Sequence, residues 1–269
     1  MIISKVNEKI KYINSLKDKK YRDKYNKYII EGIKIVDEHI SSRGTPLEFI
    51  VLSKELLFNA HGGEELYNKI KEYNNIIEVD KKIFEHLSDT ETPQGILIVV
   101  DKKKNTIESL KESIKENNKF VILDKVSDAG NMGTIIRTAI SFGIKNIICI
   151  KGTVDAYSSK VVRSTMGAIE KVNIYYLTYD ELKDIKPDFK ENEYVIVGTD
   201  LGAKNYLHET KPNRKTIYIL GNEANGISEE TKAMCDQFVK IPMEEIQESL
   251  NVSIAGAILM YNSYLGDEE

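Results

Sequence analysis

Three short polar stretches of the sequence contain residue types that could bind a ligand and do chemistry. In the first, at residues 123–143, Gly130, Asn131 and Gly133 open a predicted helix, and Arg137 follows about one turn later. Asparagine is a favourable helix N-cap, whereas a guanidinium group suits bidentate contact with phosphate or carboxylate. We therefore expect Arg137 to face solvent or an anion, and Asn131 either caps the helix or also contacts a ligand.

The second stretch, "YILGNEANGIS" at residues 218–228, is an apolar run that ends in Gly221, Asn222 and Glu223. Main-chain groups of such a loop could hold a flat heterocycle, with one carboxylate beside it. No Gly-Lys-Ser/Thr follows, so the pattern is not that of a phosphate-binding loop. The alternative is an ordinary strand-to-helix turn, in which Glu223 is only a first-turn helix charge.

In the third stretch, at residues 241–264, Ser249, Asn251 and Ser253 stand directly before an apolar helix. These residues could cap the helix, line a ligand site, or do both. The sequence has no Gly-x-Ser-x-Gly elbow and no grouping of His, Cys and Asp at metal-ligand spacing, since its four histidines are scattered. Hydrolytic and metal-dependent chemistry are therefore disfavoured.

The elements that must position these stretches form two α/β alternations. Helical spacing predicts helices at residues 5–16 and 28–40, and short strands and helices then alternate up to about residue 100. A second alternation of nearly all-apolar strands with helices begins near residue 119, which predicts a parallel sheet covered on both faces. We expect domains at 1–100 and 119–269, joined by a polar helical connector at 101–118. The three stretches then follow strands, at the carboxyl ends where such sheets bind ligands.

The charge of the chain is unevenly distributed around a net value of −4. Residues 1–34 hold ten Lys or Arg against four Asp or Glu, with four tyrosines among them, whereas residues 223–269 hold two basic and ten acidic residues. A basic segment with aromatic rings could neutralise phosphates and stack on unpaired bases, but a solvated helical face with inward tyrosines is an equal alternative. We expect no membrane span, no metal, reduced cysteines and a cytoplasmic location.

The three stretches, in this order, resemble the motifs of the SpoU (TrmH) family of RNA ribose 2′-O-methyltransferases in the SPOUT superfamily. The resemblance rests on Asn131-x-Gly133 with Arg137, on Gly221-x-Glu223-x-x-Gly226, and on Ile-Pro-Met followed by Ser-Leu-Asn-Val-Ser at 249–253. A fourth family stretch is met by "SSKVVRSTMGA". The front half is similar to the L30e-like substrate-binding domain of the family, through "YIIEGIKIVDEHI" and "TETPQGILIVV".

This resemblance implies a C-terminal SPOUT sheet with a deep trefoil knot, S-adenosylmethionine as cofactor, and a homodimer whose interface completes the active site. The catalytic set that it implies is Arg137, Asn131, Glu223, Ser249 and Asn251. The cofactor-binding set is Gly198, Thr199, Leu220, Gly221, Asn222, Ile241, Met243, Ser249 and Leu250. RNA contacts are expected at Lys160, Arg163, Arg22 and Lys24.

The expected reaction is methyl transfer to a ribose 2′-oxygen, with Arg137 orienting the ribose phosphate and stabilising the developing oxyanion, because guanidinium does not lose its proton near neutral pH. The expected substrate is 23S ribosomal RNA. Transfer RNA, methylation of a base, and a non-enzymatic RNA-binding protein are the alternatives.

Overall fold

The computed structural model describes residues 4–42, 44–210, 214–244 and 249–266. The chain divides into two compact units, one of Met1–Lys103 with Tyr157–Glu170 and the other of Lys104–Ala156 with Lys171–Glu269. The boundaries at residues 100 and 118 stay a prediction. Within the described residues, no helix combines the length and the apolar character that a membrane span requires.

The helices are α1 Glu8–Ser15, α2 Lys19–Tyr25, α3 Ile33–Ser42, α4 Lys54–Asn59, α5 Gly63–Ile70, α6 Lys81–Leu87, α7 Ile107–Glu116, α8 Ala129–Ser141, α9 Ser159–Thr165, α10 Tyr179–Glu191, α11 Glu229–Lys232 and α12 Val252–Leu265. The strands are β1 Lys27–Glu31, β2 Leu47–Leu52, β3 Ile76–Glu78, β4 Ile96–Asp101, β5 Lys119–Leu123, β6 Asn146–Ile150, β7 Asn173–Leu177, β8 Val195–Thr199, β9 Asn205–Tyr206, β10 Thr216–Leu220 and β11 Gln237–Lys240.

The first unit contains a mixed sheet in the order β1-β4-β2-β3. Its antiparallel pairs are β1 with β4 and β2 with β4, and β2 and β3 are parallel. One core cluster of this unit joins Ile10 and Ile13 of α1 to Val51, Phe84 and Leu97. The amphipathic face of α1 is thus buried by strands and by helix α6, which come later in the chain.

The prediction of one helix over residues 28–40 was wrong at its start. Residues Lys27–Glu31 form β1, and α3 begins only at Ile33. Gly32 lies between them with a φ of +111°, a backbone angle that glycine adopts without strain. The apolar residues have helical spacing across this break, but Tyr28 and Ile30 are buried by strand alternation.

The second unit contains a sheet in the order β7-β6-β5-β10-β8-β11-β9. Every pairing between these neighbours is parallel, which confirms the predicted sheet type. The central strands β5, β6 and β10 are buried along their whole length. On one face Phe120, Phe189 and Tyr194 pack ring against ring, each pair 5.5 Å between centroids.

The strand order changes direction between β5 and β10. From β5 the chain proceeds to β6 and β7 on one side of the sheet, and it then continues on the other side from β8 onwards. A reversal of this kind leaves a crevice at the carboxyl ends of the two central strands, where open α/β sheets bind ligands. The loops after β5 and β10 are therefore neighbours. The trefoil knot itself stays a prediction.

Candidate functional site

A cavity of about 540 Å³ lies at the carboxyl ends of β8, β10 and β11. Lining residues come from four segments, within residues 199–201, 220–227, 239–243 and 249–255, and from Lys232. The strands place them together because parallel neighbours end at the same edge of the sheet. The volume is within the range of small-molecule sites, which is roughly 300–1,000 Å³.

The loop after β10 is a tight turn held by its own hydrogen bonds. Asn222 and Gly226 exchange two main-chain hydrogen bonds of 2.9 Å, and the side-chain oxygen of Asn222 accepts from the backbone of Ala224 and Asn225. A Cβ atom added to Gly221 would lie 2.2 Å from the carbonyl carbon of Gly226. Glycine at 221 is therefore needed for the turn to close, and the turn forms one wall of the cavity.

Glu223 receives four hydrogen bonds from the segment that follows β5. The backbone N–H groups of Ser127 and Asp128 donate at 3.1 Å each, the Ser127 hydroxyl donates at 2.9 Å, and the Asn131 side-chain amide donates at 3.0 Å. Glu223 is thus more than a first-turn helix charge. It joins the first and second polar stretches.

Asn131 extends this network to the third stretch. Its side-chain oxygen accepts a hydrogen bond of 2.9 Å from the amide of Asn251. The oxygen of Asn251 accepts from the backbone N–H of Ser253 at 2.9 Å and from that of Ile254 at 3.4 Å, so Asn251 is the N-cap of α12. The expected cap and the expected site residue are the same side chain.

The network keeps Glu223 ionised. Partial burial by itself raises the pKa of a carboxyl group, but the hydrogen bonds from Asn131 and from backbone N–H groups outweigh it and lower the pKa of Glu223 to about 2. A carboxylate with so low a pKa is a weak proton acceptor near neutral pH. The arrangement suits Glu223 to orienting neighbouring groups.

Arg137 lies two turns into α8 and is exposed. Its guanidinium forms no hydrogen bond or ion pair within the described ranges, which agrees with the expectation that it faces solvent or an anion. It is not among the cavity-lining residues. Asn131, by contrast, does not cap α8 as predicted, because the side chain of Asp128 accepts the Asn131 backbone N–H at 2.8 Å.

Most of the residues expected to hold a cofactor line the cavity. These are Thr199, Leu220, Gly221, Asn222, Ile241, Met243, Ser249 and Leu250, and they are joined by Glu223 and Asn251 of the expected catalytic set. Gly198 is buried within β8, where a Cβ atom would lie 2.7 Å from the ring of Phe238 and 2.8 Å from the sulfur of Cys235. Gly198 thus allows close packing behind Thr199 and does not line the cavity.

Sequence reasoning missed several residues of the site. Asp200 and Lys232 line the cavity, and Ser127 and Asp128 donate to Glu223 from the loop before α8. The signal in the sequence was the pair Ser127–Asp128 directly before the start of α8. This is the usual place of a capping residue and of backbone N–H groups that have no partner within the helix.

The four residues expected to bind RNA differ in their surroundings. Lys24 and Lys160 are exposed, on α2 and α9 respectively. Arg163 on α9 is partly buried, and its Nη1 atom has no hydrogen-bond partner in the described part of the chain. Arg22 was a wrong assignment, because it is only 4% exposed and donates to the carbonyl oxygens of Leu16 at 2.8 Å and Lys17 at 2.6 Å, closing the end of α1.

The lining of the cavity fits S-adenosylmethionine. Apolar side chains such as Leu220, Ile241 and Leu250 suit an adenine ring, and the acidic and basic side chains of Asp200 and Lys232 suit a ligand that carries both charges. Gly221 lets the turn that forms one wall close against the backbone of Gly226. The described residues contain no group of three or more His, Cys, Asp or Glu side chains placed to hold a metal ion.

Two family models match the chain. The SpoU rRNA Methylase family matches residues 118–261, and the MRM3-like substrate binding domain matches residues 7–98. The second match confirms a substrate-binding domain in the front half.

Curated relatives extend this likeness. The 23S rRNA (guanosine(2553)-2′-O)-methyltransferase RlmP of Bacillus subtilis (strain 168) is 29% identical over 261 residues, covering 97% of this chain and 98% of the relative. The 23S rRNA (guanosine-2′-O-)-methyltransferase RlmB of Bordetella pertussis is 33% identical over 172 residues, covering 63% of this chain and 69% of the relative.

Solved structures agree with the fold. An AdoMet-bound rRNA methyltransferase from Sinorhizobium meliloti superposes with a TM-score of 0.82 at 25% identity, covering 97% of this chain and 96% of that one. The SpoU methyltransferase AviRb from Streptomyces viridochromogenes, at 21% identity and a TM-score of 0.83, covers 97% of this chain and 99% of its own and supports the fold. The expected α/β fold of SPOUT type is confirmed, and the chain belongs to the SpoU rRNA Methylase family.

Proposed function

We infer that this protein transfers a methyl group from S-adenosylmethionine to a ribose 2′-hydroxyl of 23S ribosomal RNA. The observation that carries the proposal is the hydrogen-bonded chain Glu223–Asn131–Asn251, which joins the three polar stretches beside the cavity. The two curated relatives above are named as guanosine 2′-O-methyltransferases of 23S rRNA, which supports the choice of RNA. A cytoplasmic location accords with that substrate.

In this reaction the ribose 2′-oxygen would bond to the methyl carbon of S-adenosylmethionine in line with the carbon–sulfur bond, which breaks and releases S-adenosylhomocysteine, and the hydroxyl would give up its proton. The chain has to hold the nucleotide so that the oxygen meets the methyl group, and this alignment is a large part of the acceleration. The turn at 221–226 and the start of α12 hold the cofactor through the cavity walls. Asn131 and Glu223 fix those two walls relative to each other.

We assign Arg137 to the RNA. It is exposed, its guanidinium has no partner within the described ranges, and it lies on the helix that supplies Asn131. Because guanidinium keeps its proton, Arg137 binds the ribose phosphate and stabilises negative charge on the 2′-oxygen, and it does not accept the proton.

Methyl transfer with labelled S-adenosylmethionine and 23S rRNA fragments tests the proposal. Arg137→Ala is expected to lower kcat at least about 100-fold, the usual loss when a charge-stabilising donor is removed, while the Kd of S-adenosylmethionine stays within about twofold. Arg137→Lys keeps the charge without the two parallel hydrogen bonds and should recover only part of the rate. Lys145→Ala, which removes an exposed cation shortly after α8, is the matched control.

Failure of the unaltered protein to bind S-adenosylmethionine by calorimetry would remove the enzymatic proposal and favour an RNA-binding protein without enzymatic activity. Unchanged turnover in Arg137→Ala would remove Arg137 alone. Mapping of ribose methylation in ribosomal and transfer RNA from a deletion strain identifies the nucleotide, and a lost mark in transfer RNA would replace ribosomal RNA as the substrate.

We also propose that two copies of the chain pair through α12. The helix has no charged side chain, and it buries Gly256, Leu259 and Ser263 on one side. On the other side Ile254 and Tyr261 are 50% and 51% exposed, and Leu265 is 44% exposed. An apolar stripe of this kind on the surface indicates an interface. Around a twofold axis, the stripe of one copy packs against the same stripe of the other copy.

Sedimentation velocity tests the pairing. Ile254→Asp with Tyr261→Asp is expected to convert a dimer into a monomer, since it places two carboxylates in the stripe. Phe58→Asp, at a position 45% exposed on α4, introduces the same kind of change elsewhere and should leave the dimer intact. A monomer for the unaltered protein at micromolar concentration would contradict the proposal.

A further inference from the structure

Four aromatic rings form a row across α1, α2 and β2 in the first unit. Tyr21 and Tyr25 are stacked, with centroids 6.3 Å apart and planes 15° apart. Tyr25 then meets Tyr12 edge to face at 5.0 Å, and Tyr12 meets Phe49 at 6.4 Å. We call these four residues the aromatic row.

Lysine ammonium groups lie over three of the four rings. Lys20 is 5.8 Å from the centroid of Tyr21, Lys24 is 5.1 Å from that of Tyr25, and Lys9 is 5.4 Å from that of Phe49. All three lysines are exposed. Flat aromatic rings and lysine ammonium groups therefore alternate along the row.

The row is not simply part of the core. Tyr25 is 37% exposed and Tyr12, Tyr21 and Phe49 are partly exposed, whereas Tyr28 of the same segment is buried at 2%. The inward alternative therefore holds for Tyr28, and Tyr12 and Phe49 also pack partly against the core, whereas Tyr21 and Tyr25 are outside the buried core clusters.

The nearby acidic groups are already engaged. Glu48 accepts the Tyr12 hydroxyl at 2.9 Å and pairs with Lys27 at 3.3 Å. Asp18 caps α2, and Asp23 pairs with Lys102 at 2.6 Å. The residues of 1–34 carry ten basic and four acidic side chains, so the positive charge over the row is in excess.

We propose that the aromatic row is a site for unpaired nucleotides of RNA, whose bases stack on Tyr21 and Tyr25 while Lys20 and Lys24 contact the flanking phosphates. Sequence-tolerant binding of single strands uses this combination, because every base has a flat face and every linkage has a charge. The proposal rests on the proposed function in that RNA is the substrate. It adds a contact surface on α1 and α2 that takes part in holding the RNA and does not touch the reacting atoms.

Because the sequence has no tryptophan, a single one can report on the row. Tyr25→Trp places a unique fluorophore in the row, and stacking of bases is expected to quench it when a 12-nucleotide oligoadenylate is added to the full chain. Phe58→Trp is the matched control. Phe58 contacts Tyr67 edge to face at 5.2 Å between centroids, and the ammonium group of Lys54 lies over the Tyr67 ring, 5.4 Å from its centroid. That lysine, Lys54, is paired with Glu78 at 3.0 Å, so the control site has the rings without the free charge.

Quenching at position 25 without quenching at position 58 supports the site, and equal or absent quenching at position 25 overturns it. A 12-base-pair RNA duplex should not quench, since its bases are already stacked on each other. Duplex quenching equal to that of the single strand would contradict a site for unpaired bases.

Affinity measured by fluorescence anisotropy gives a second test. Tyr21→Ala with Tyr25→Ala should raise the Kd of the oligonucleotide at least about fivefold, and Phe58→Ala should change it less than twofold. Lys20→Ala with Lys24→Ala leaves the rings in place and should reduce the slope of log Kd against log salt by about 1.4, the value for two phosphates of a single strand. An unchanged Kd in the tyrosine variant together with an unchanged salt slope in the lysine variant would overturn the site. Because poor folding could only weaken binding, it could not produce this result.

Calorimetry with S-adenosylmethionine on the same preparations separates this proposal from the proposed function. Quenching without cofactor binding would leave the RNA site standing and remove the methyltransferase. Cofactor binding and full methyl transfer by Tyr21→Ala with Tyr25→Ala, at an unchanged KM for RNA, would remove the RNA site and leave the enzyme.

Discussion

Replacing Asn131 by alanine should weaken cofactor binding although Asn131 is not among the described residues that line the cavity. The substitution removes two hydrogen bonds, the one to Glu223 at 3.0 Å and the one from Asn251 at 2.9 Å. Glu223 and Asn251 line the cavity on opposite segments. Without Asn131 the positions of the Glu223 and Asn251 side chains are no longer coupled. Part of the binding free energy of the cofactor must then be spent on ordering these two side chains.

The magnitude follows from the two bonds. A hydrogen bond to a charged group contributes about 1.5 kcal/mol at the low end of its range, which suits Glu223 because it is exposed, and an amide–amide bond contributes about 0.5 kcal/mol. The coupling lost is then about 2 kcal/mol. At ~1.4 kcal/mol per tenfold, the Kd of S-adenosylmethionine should rise about 30-fold if all of this coupling acts on binding.

Isothermal calorimetry of a double-mutant cycle is the assay. Asn131→Ala and Asn251→Ala each remove the hydrogen bond that joins the two side chains. The loss of binding free energy in the double variant should therefore be smaller than the sum of the two single losses, by at least about 0.5 kcal/mol. Thr134→Ala, at an exposed position of the same helix, controls for the higher helix propensity of alanine. Additive losses, or an unchanged Kd in Asn131→Ala, would refute the view that the network couples the cavity walls.

Two further predictions concern the turn after β10. The pKa of Glu223 is about 2 in the folded protein against an ordinary value of 4.5, so its stabilisation is complete above pH 4.5 and is lost as the pH falls towards 2. Urea unfolding of Glu223→Gln should therefore depend less on pH across that window, with an effect smaller than the full shift because the carboxylate is largely exposed. An identical pH dependence in the two proteins would contradict this. Gly221→Ala should raise the Kd of S-adenosylmethionine more than about tenfold while circular dichroism is retained, because its methyl group meets the Gly226 carbonyl carbon at 2.2 Å, and normal binding would show that the turn can open freely.

The parallel sheet was predictable because its strands are apolar runs such as "FVIL" and "IYIL", which are buried on both faces and are separated by amphipathic helices. From the sheet type alone, the polar stretches had to meet at one edge. The helix predicted over residues 28–40 failed for a different reason. Helical spacing continues across Gly32 by coincidence, and pairing of β1 with β4, some 70 residues later, decides the conformation.

The roles of individual polar residues were harder to predict than their location. Asp128 and Asn131 are both good capping residues three positions apart, and only the fold shows that Asp128 caps α8 while Asn131 faces Glu223 and Asn251. Arg22 lies in a basic segment typical of RNA contacts, but its guanidinium donates to the carbonyl oxygens of Leu16 and Lys17 at the end of α1. Local propensity does not distinguish such uses, because the competing partners come from distant parts of the chain.

The chemistry of the site is consistent with catalysis by position. Glu223 remains ionised well below neutral pH, and its oxygens are occupied by four hydrogen bonds, so it offers little to a proton from a ribose hydroxyl. Arg137 keeps its own proton and can only donate. In the proposed mechanism the polar residues of the site therefore hold the cavity walls and the RNA in register. Arg137 would stabilise the negative charge that develops on the 2′-oxygen as its proton passes to a group other than Glu223 and Arg137, before the oxygen–methyl bond is complete.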